Sequence, residues 1–232
     1  MDFLEGTNLE IAPEITLPAV LSNACVSVAI RARPEDSKKL SNLGHQCALR
    51  ALKLLCPEVA HEKIRKGELG EPLWPFGCVG SITHTFGLAW AAVSLDSKNL
   101  SMGIDAERIL RERSRKHAMR FLKTIAAKEE IEQIEPSLLK ELSAEVLATL
   151  IFSAKESLYK CLSPLLGQFF WFDAARVNGI NLNDRRLTLE LLKDLSEVFP
   201  RGWRVDCRFA VGDELIITGV ELPRSQRPNL SF

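Results

Sequence analysis

"MGIDAERIL" (102–110) starts as a buried strand and is then interrupted by two acids. Met102, Ile104 and Ala106 alternate with Gly103, Asp105 and Glu107, the period-two pattern of an extended chain with one face turned inward. The pattern predicts a strand and sets Asp105 and Glu107 side by side on its second face. Like charges at that spacing repel unless something positive lies between them. The question is what supplies that charge.

Working outward, the preceding residues read as a small α+β unit. "CVSVAIRA" (25–32) has strand composition, and "DSKKLSNLGHQCALRALKLLC" (36–56) places apolar residues at 40, 43, 47, 51, 54 and 55, an amphipathic helix stopped by Pro57. A loop rich in Gly and Pro, "RKGELGEPLWPFG" (65–77), leads into two strand-like runs, "CVGSITHT" (78–85) and "LAWAAVSL" (88–95), and the turn "DSKN" (96–99). After the opening strand come a basic stretch (108–123), a charged helix around 126–134 and a long helix from Ala144 to Leu162, ended by Ser163-Pro164. Strand-like pieces follow at 169–177, 186–192, 203–210 and 214–222, and the polar tail 223–232 reads as loose. Strands and a helix in each half predict an α+β fold of two similar lobes, 1–99 and 100–232.

Thirty acids balance thirty bases, so whole-molecule charge gives no argument for nucleic acid or membrane. The cysteines at 25, 47, 56, 78, 161 and 207 form no C-x-x-C pair and do not join the four histidines at zinc-ligand spacing. Most sit among apolar neighbours, as reduced thiols do, and a reducing cytosol is the expected compartment. The first 15 residues hold Asp2, Glu5 and Glu10 and no basic region, unlike a signal peptide. No run approaches the roughly 18 apolar residues a membrane span needs.

Along the long helix, Leu147, Leu150, Ile151, Ala154, Leu158 and Cys161 form one apolar stripe, and Phe152, Lys155, Glu156, Tyr159 and Lys160 fall opposite. One reading is a surface Glu156–Lys160 pair, with Asp105 and Glu107 simply following a strand into a turn. The sharper reading gathers Asp105, Glu107 and Glu156 on a hard cation. Oxygen ligation with few protein donors suits Mg²⁺, which takes its other ligands from water and phosphate, and Lys155 and Lys160 would hold the same phosphates. His84, in "GSITHT" (80–85), is either structural or, with Thr83 beside it, part of a phosphate-facing edge.

In this order and spacing, "GEPLWPFGCVGSITHT" (70–85), "GIDAE" (103–107) and "FSAKESLYK" (152–160) resemble the 4′-phosphopantetheinyl transferases, in the branch of the enterobactin-synthase and surfactin-type enzymes. "PLLGQFFWFDAARV" (164–177) fits the family's stretch after that helix. The resemblance implies two α/β lobes with coenzyme A in the cleft between them. It carries over Asp105, Glu107 and Glu156 as magnesium ligands, Lys155, Lys160 and His84 as contacts to coenzyme A phosphates, and the loop around Pro72 as lying along the nucleotide. Two places depart from the pattern. His45 and Leu49 stand where the family often has arginines, and Glu71 where relatives have lysine; Arg65 and Lys66 are the compensating candidates.

The implied reaction is attack by a carrier protein's serine hydroxyl on the β-phosphorus of coenzyme A, with 3′,5′-ADP leaving. Mg²⁺ and Lys160 would offset charge on the pyrophosphate, with Asp105 holding the metal. Glu156, directly or through a water it orients, would be the base. Seven Lys/Arg against one acid in "RILRERSRKHAMRFLK" (108–123) make either a solvated face or a landing surface for an acidic acyl or peptidyl carrier protein, through Arg108, Arg111, Arg113, Arg115, Lys116 and Arg120. A monomer is expected. The competing functions are a Mg²⁺-dependent coenzyme A pyrophosphate hydrolase and a non-catalytic carrier-binding module.

Overall fold

The computed structural model describes residues 17–31, 40–59, 61–85, 87–109 and 115–226. In chain order the first half holds β1 (Cys25–Arg31), α1 (Leu40–Leu55), β2 (Arg65–Lys66), β3 (Pro72–Leu73), β4 (Cys78–Thr85) and β5 (Leu88–Leu95). The remainder is β6 (Asn99–Arg108), α2 (Arg115–Ile125), α3 (Lys128–Leu138), α4 (Ala144–Leu166), β7 (Ala175–Asn181), β8 (Arg186–Leu191), β9 (Arg204–Val211) and β10 (Leu215–Pro223). The class is α+β, as the sequence predicts.

Two antiparallel sheets carry the molecule, one in the order β1-β5-β4 and the other β6-β10-β9-β8-β7, while β2 and β3 form a short ribbon. Helix α1 lays Leu43, Cys47, Ala51 and Leu52 on the first sheet, against Val28, Ile30, Ala89, Ala91 and Val93. Helix α4 buries the expected stripe, Leu147 to Cys161, against Val177, Leu189, Cys207, Ile216 and Val220 of the second sheet. A third cluster joins the sheets: Ala29, Trp90 and Ala92 meet Met102, Ile104, Ala106 and Ile217, with Val20 and Leu21 alongside.

Strand β6 is therefore buried on both sides, and its alternation sorts the chemistry. Met102, Ile104 and Ala106 enter the cluster between the sheets, and the intervening residues face α4. There the Ser101 hydroxyl donates to the Cys161 carbonyl at 2.6 Å. A Cβ on Gly103 would lie 2.0 Å from the Ser157 carbonyl oxygen and 2.6 Å from the Cys161 nitrogen. The glycine lets strand and helix backbones touch, which brings α4's side chains to Asp105.

Two boundaries differ from expectation. Helix α4 runs through Ser163-Pro164 to Leu166 and stops at Gly167, whose φ of 61° is left-handed and whose N–H donates to the Ser163 carbonyl. So near the end, Pro164 forgoes only the bond its N–H would give to residue 160. At the other end the Ser143 side chain accepts from the Val146 N–H. Residues 169–177 are not one strand: a short 3-10 turn spans Phe172–Ala174 and β7 begins at Ala175. Four consecutive aromatics have no alternation to satisfy a sheet, and they pack on α4 instead, Phe169 and Phe170 each 5.2 Å from the Tyr159 ring and Phe172 5.4 Å from Phe152. The six cysteines, all among the described residues, form no disulfide. Among the described residues no helix is long and apolar enough to cross a membrane.

Candidate functional site

Asp105 is the centre of the site, 2% exposed on β6. Its Oδ1 accepts from the Lys160 ammonium at 2.6 Å and from the Thr83 hydroxyl at 3.1 Å, and Lys160 also reaches the Thr83 oxygen at 3.3 Å. Three elements meet here because each is tied to β6. The Ser81 hydroxyl of β4 accepts from the Ile104 N–H, Gly103 admits α4, and helical geometry sets Lys160 one turn beyond Glu156. The positive group beside the acids of the opening strand is thus Lys160.

One ammonium does not settle the charge. Burial, then repulsion from Asp105 and Glu156, pushes the Glu107 carboxyl up to about 7 against the pull of Lys160. Burial and Asp105 likewise raise Glu156, again opposed by Lys160. Asp105 Oδ2 is buried with no partner among the described residues, a costly state for a carboxylate oxygen. Among the described residues no three acidic, His or Cys side chains are gathered as a metal shell, so the expected triad sits within electrostatic reach of one another without being drawn together. The donor set nonetheless fits a hard divalent cation: three carboxylates, excess negative charge and an orphaned buried oxygen.

This electrostatics has a measurable consequence. A carboxyl held near 7 keeps a proton that the unfolded chain, titrating near about 4.3, has already released. Its ionisation therefore lowers folding stability as pH climbs from about 5 to about 7, and the full penalty is present at pH 8. In EDTA, Glu107→Gln is expected to melt above the wild type at pH 8, with the gain gone at pH 5. Saturating magnesium in place of EDTA should reverse the order at pH 8. A gap that does not change with pH in EDTA would rule out the repulsion.

Lys155 departs from the expectation that it holds phosphate. It is 3% exposed and its ammonium donates to Glu130 Oε2 at 2.9 Å, the Ile125 carbonyl at 2.7 Å and the Phe172 carbonyl at 3.3 Å. Burial lowers its pKa, with Glu130 opposing. A turn of about 100° per residue sends it away from Asp105 and under α3. Glu130 escaped the sequence reading; the available signal was a lysine on a helix that is otherwise buried, which requires an acid nearby.

The other expected residues are dispersed. Strand alternation aims Thr83 at Asp105, whereas His84 is exposed on the neighbouring position of β4 and shares the face of Ile82, which meets α1 at Gly44. Arg65 and Lys66 are exposed on the ribbon, paired with Leu73 and Pro72. Pro72 borders a cleft cavity of about 210 Å³ with Glu71, Trp74, Ser81, Tyr159 and Lys160. Glu71 caps its own loop, accepting from the Leu69 N–H at 2.9 Å. Arg108 is half-buried at the end of β6, and Lys116 and Arg120 are exposed on α2, as is Lys123. Arg115 begins α2, and Arg111 and Arg113 lie outside the described residues.

A second cavity, of about 240 Å³, opens on the far side of Glu156 and Tyr159, which line both. Phe169, Phe170, Trp171 and Phe172 form its wall, with Phe169 51% and Trp171 69% exposed. A cleft that sets Glu71, Ser81 and Lys160 among apolar residues and an aromatic pocket thus share the edge where Glu156 stands.

Two family models match the chain. Residues 101–218 match the family model described as the 4′-phosphopantetheinyl transferase superfamily, and residues 42–94 match the 4′-phosphopantetheinyl transferase N-terminal domain. Over 117 residues the chain is 38% identical to 4′-phosphopantetheinyl transferase Npt of Nocardia iowensis, covering 49% of this chain and 47% of the relative. It is 32% identical over 164 residues to 4′-phosphopantetheinyl transferase Svp of Streptomyces mobaraensis, 66% of this chain and 60% of that one. Enterobactin synthase component D of Salmonella typhi is 32% identical over 126 residues, with 54% and 48% covered. The chain therefore spans about half to three-fifths of the length of these curated relatives.

Proposed function

The chain belongs to the 4′-phosphopantetheinyl transferase superfamily, and on that footing we propose that it moves the phosphopantetheine arm of coenzyme A to a serine of an acidic acyl or peptidyl carrier protein. The observation that carries this reading is Asp105, buried with one oxygen unpartnered among the described residues and the other bound by Thr83 and by Lys160, which lines the cleft next to Glu156, the residue that borders both cavities.

The residues divide the work. The cleft bordered by Pro72 and Trp74 takes the nucleotide, and the aromatic wall takes the arm, packing on its gem-dimethyl and methylene groups. Lys160, with two of its three N–H groups on Asp105 and Thr83, presents the remaining one to a pyrophosphate oxygen. The carrier serine's Oγ attacks the β-phosphorus, the bond from that phosphorus to the bridging oxygen breaks, and 3′,5′-ADP leaves with the bridging oxygen. Glu156 takes the serine proton, directly or through a water it orients. A divalent cation such as Mg²⁺, held by Asp105, Glu107 and Glu156, would supply Lewis-acid stabilisation of negative charge on the pyrophosphate. Exposed Lys116, Arg120 and Lys123 on α2 offer an acidic carrier a complementary surface.

The direct measurement is intact-mass analysis of apo carrier proteins incubated with the protein, coenzyme A and magnesium. Transfer adds about 340 Da, the mass of the arm in a pyrophosphate-cleaving transfer. No adduct on fatty-acid, polyketide or nonribosomal-peptide carriers would overturn the reading. Release of 3′,5′-ADP with no carrier present would indicate a hydrolase instead.

A further inference from the structure

We propose that the buried Lys155–Glu130 pair is a positioning device that anchors the aromatic wall of the arm cavity, and that neither residue contacts the phosphates. This rests on the coenzyme A reading above.

The pair joins five parts of the chain. Lys155, on α4, donates its three protons to Glu130, to the Ile125 carbonyl at the end of α2 and to the Phe172 carbonyl at the end of the aromatic run. Glu130 accepts from the Val177 N–H of β7 at 2.8 Å and from the Ala127 N–H at 3.2 Å, the second closing the first turn of α3 on itself. Side-chain exposures of 3% and 0% leave no solvent role for either charge. Buried ion pairs seldom stabilise a fold more than apolar residues of the same volume, so fold stability alone does not account for this one.

The anchored segment needs such a tie. Phe169 and Trp171 are half or more exposed; Phe169 meets Tyr159 of α4 at 5.2 Å, and Trp171 meets Phe169 at 4.7 Å. The backbone tie at Phe172 adds a second fixed point to the body of the protein, and the Phe172 ring continues through Phe152 to Phe121 of α2, each step 5.4 Å. The cavity wall and the basic helix are thereby set against α4 by one lysine.

A phosphate contact and a positioning role separate in binding when the arm-free ligand keeps every phosphate. 3′-Phosphoadenosine 5′-diphosphate carries the nucleotide and all the phosphates of coenzyme A without the pantetheine, and coenzyme A carries both. The variant is Glu130→Gln with Lys155→Met, which removes both charges together and avoids an unpaired buried ion. By calorimetry the double variant should bind 3′-phosphoadenosine 5′-diphosphate as the wild type does, within about twofold, while the ratio of coenzyme A affinity to that of the arm-free ligand falls by about fivefold. Glu130→Asp, which keeps the charge and shortens the reach, should lower the same ratio, and it carries the test if the double variant does not fold. A parallel loss of affinity for the arm-free ligand would mean phosphate contact and overturn the proposal. Unchanged affinity for both ligands would overturn it as well. Wild-type protein that binds neither ligand would overturn the coenzyme A reading, and the proposal with it.

Discussion

Asp105→Asn is expected to reduce carrier modification by about a thousandfold or more while leaving the protein folded, with a melting temperature close to that of the wild type. Asparagine has the shape of aspartate, and its oxygen can still accept from Lys160 and Thr83 as Oδ1 does now. What disappears is the negative charge: the ion pair with Lys160 at 2.6 Å is lost, and an amide NH2 takes the place of Oδ2, where no partner is present among the described residues. Removing the charge also relieves the repulsion on Glu107 and Glu156. Function bears the loss: the site gives up the charge that suits a divalent cation and the carboxylate that holds Lys160 in place. Intact-mass rates on one carrier, together with thermal melts, measure both halves. A variant within about tenfold of wild-type rate would remove Asp105 from the chemistry.

The second large effect is Gly103→Ala, expected to destabilise the protein by about 3 kcal/mol or more and to lower Tm by about 10 °C. The new methyl would overlap the Ser157 carbonyl, and no rotamer change relieves it because the atoms 2.0 and 2.6 Å away belong to the backbone of α4. The helix must move off β6, which stretches the Ser101–Cys161 hydrogen bond and withdraws Lys160 and Glu156 from Asp105. Activity should therefore fall even below Tm, where the variant is folded. Gly179→Ala is the control: its Cβ meets nothing within 4 Å. Equal melting temperatures for the two variants would show that the contact is softer than it looks.

Much of this was legible in the letters. The alternation in 102–107 placed one set of side chains in the core and Asp105 with Glu107 on the other face, and the structure keeps that division. The stripe from Leu147 to Cys161 buried as its period required. Local chemistry and period decide such features, since each residue's face follows from its neighbours along the chain.

Other features were not legible, because they depend on residues far apart in sequence. Pro164 looks like a helix stop, but one lost hydrogen bond in the last turn does not end a helix whose flank is buried. The run 169–172 has strand composition, yet Tyr159 and Phe152 give its rings better contacts than a sheet would.

The clearest case is the two lysines of one helix. From sequence, Lys155 and Lys160 are equivalent neighbours of Glu156. On the helix Lys160 lies about 40° to one side of Glu156 and Lys155 about 100° to the other. What each meets there is set by β6 and β4 in one direction and by the junction of α2 and α3 in the other. The sequence by itself determined that acids and lysines would share one helix and one strand, through periodicity alone. Only the tertiary structure decided that one lysine faces the candidate site and the other is buried as an anchor, because that choice belongs to the packing of residues 25 to 77 positions away.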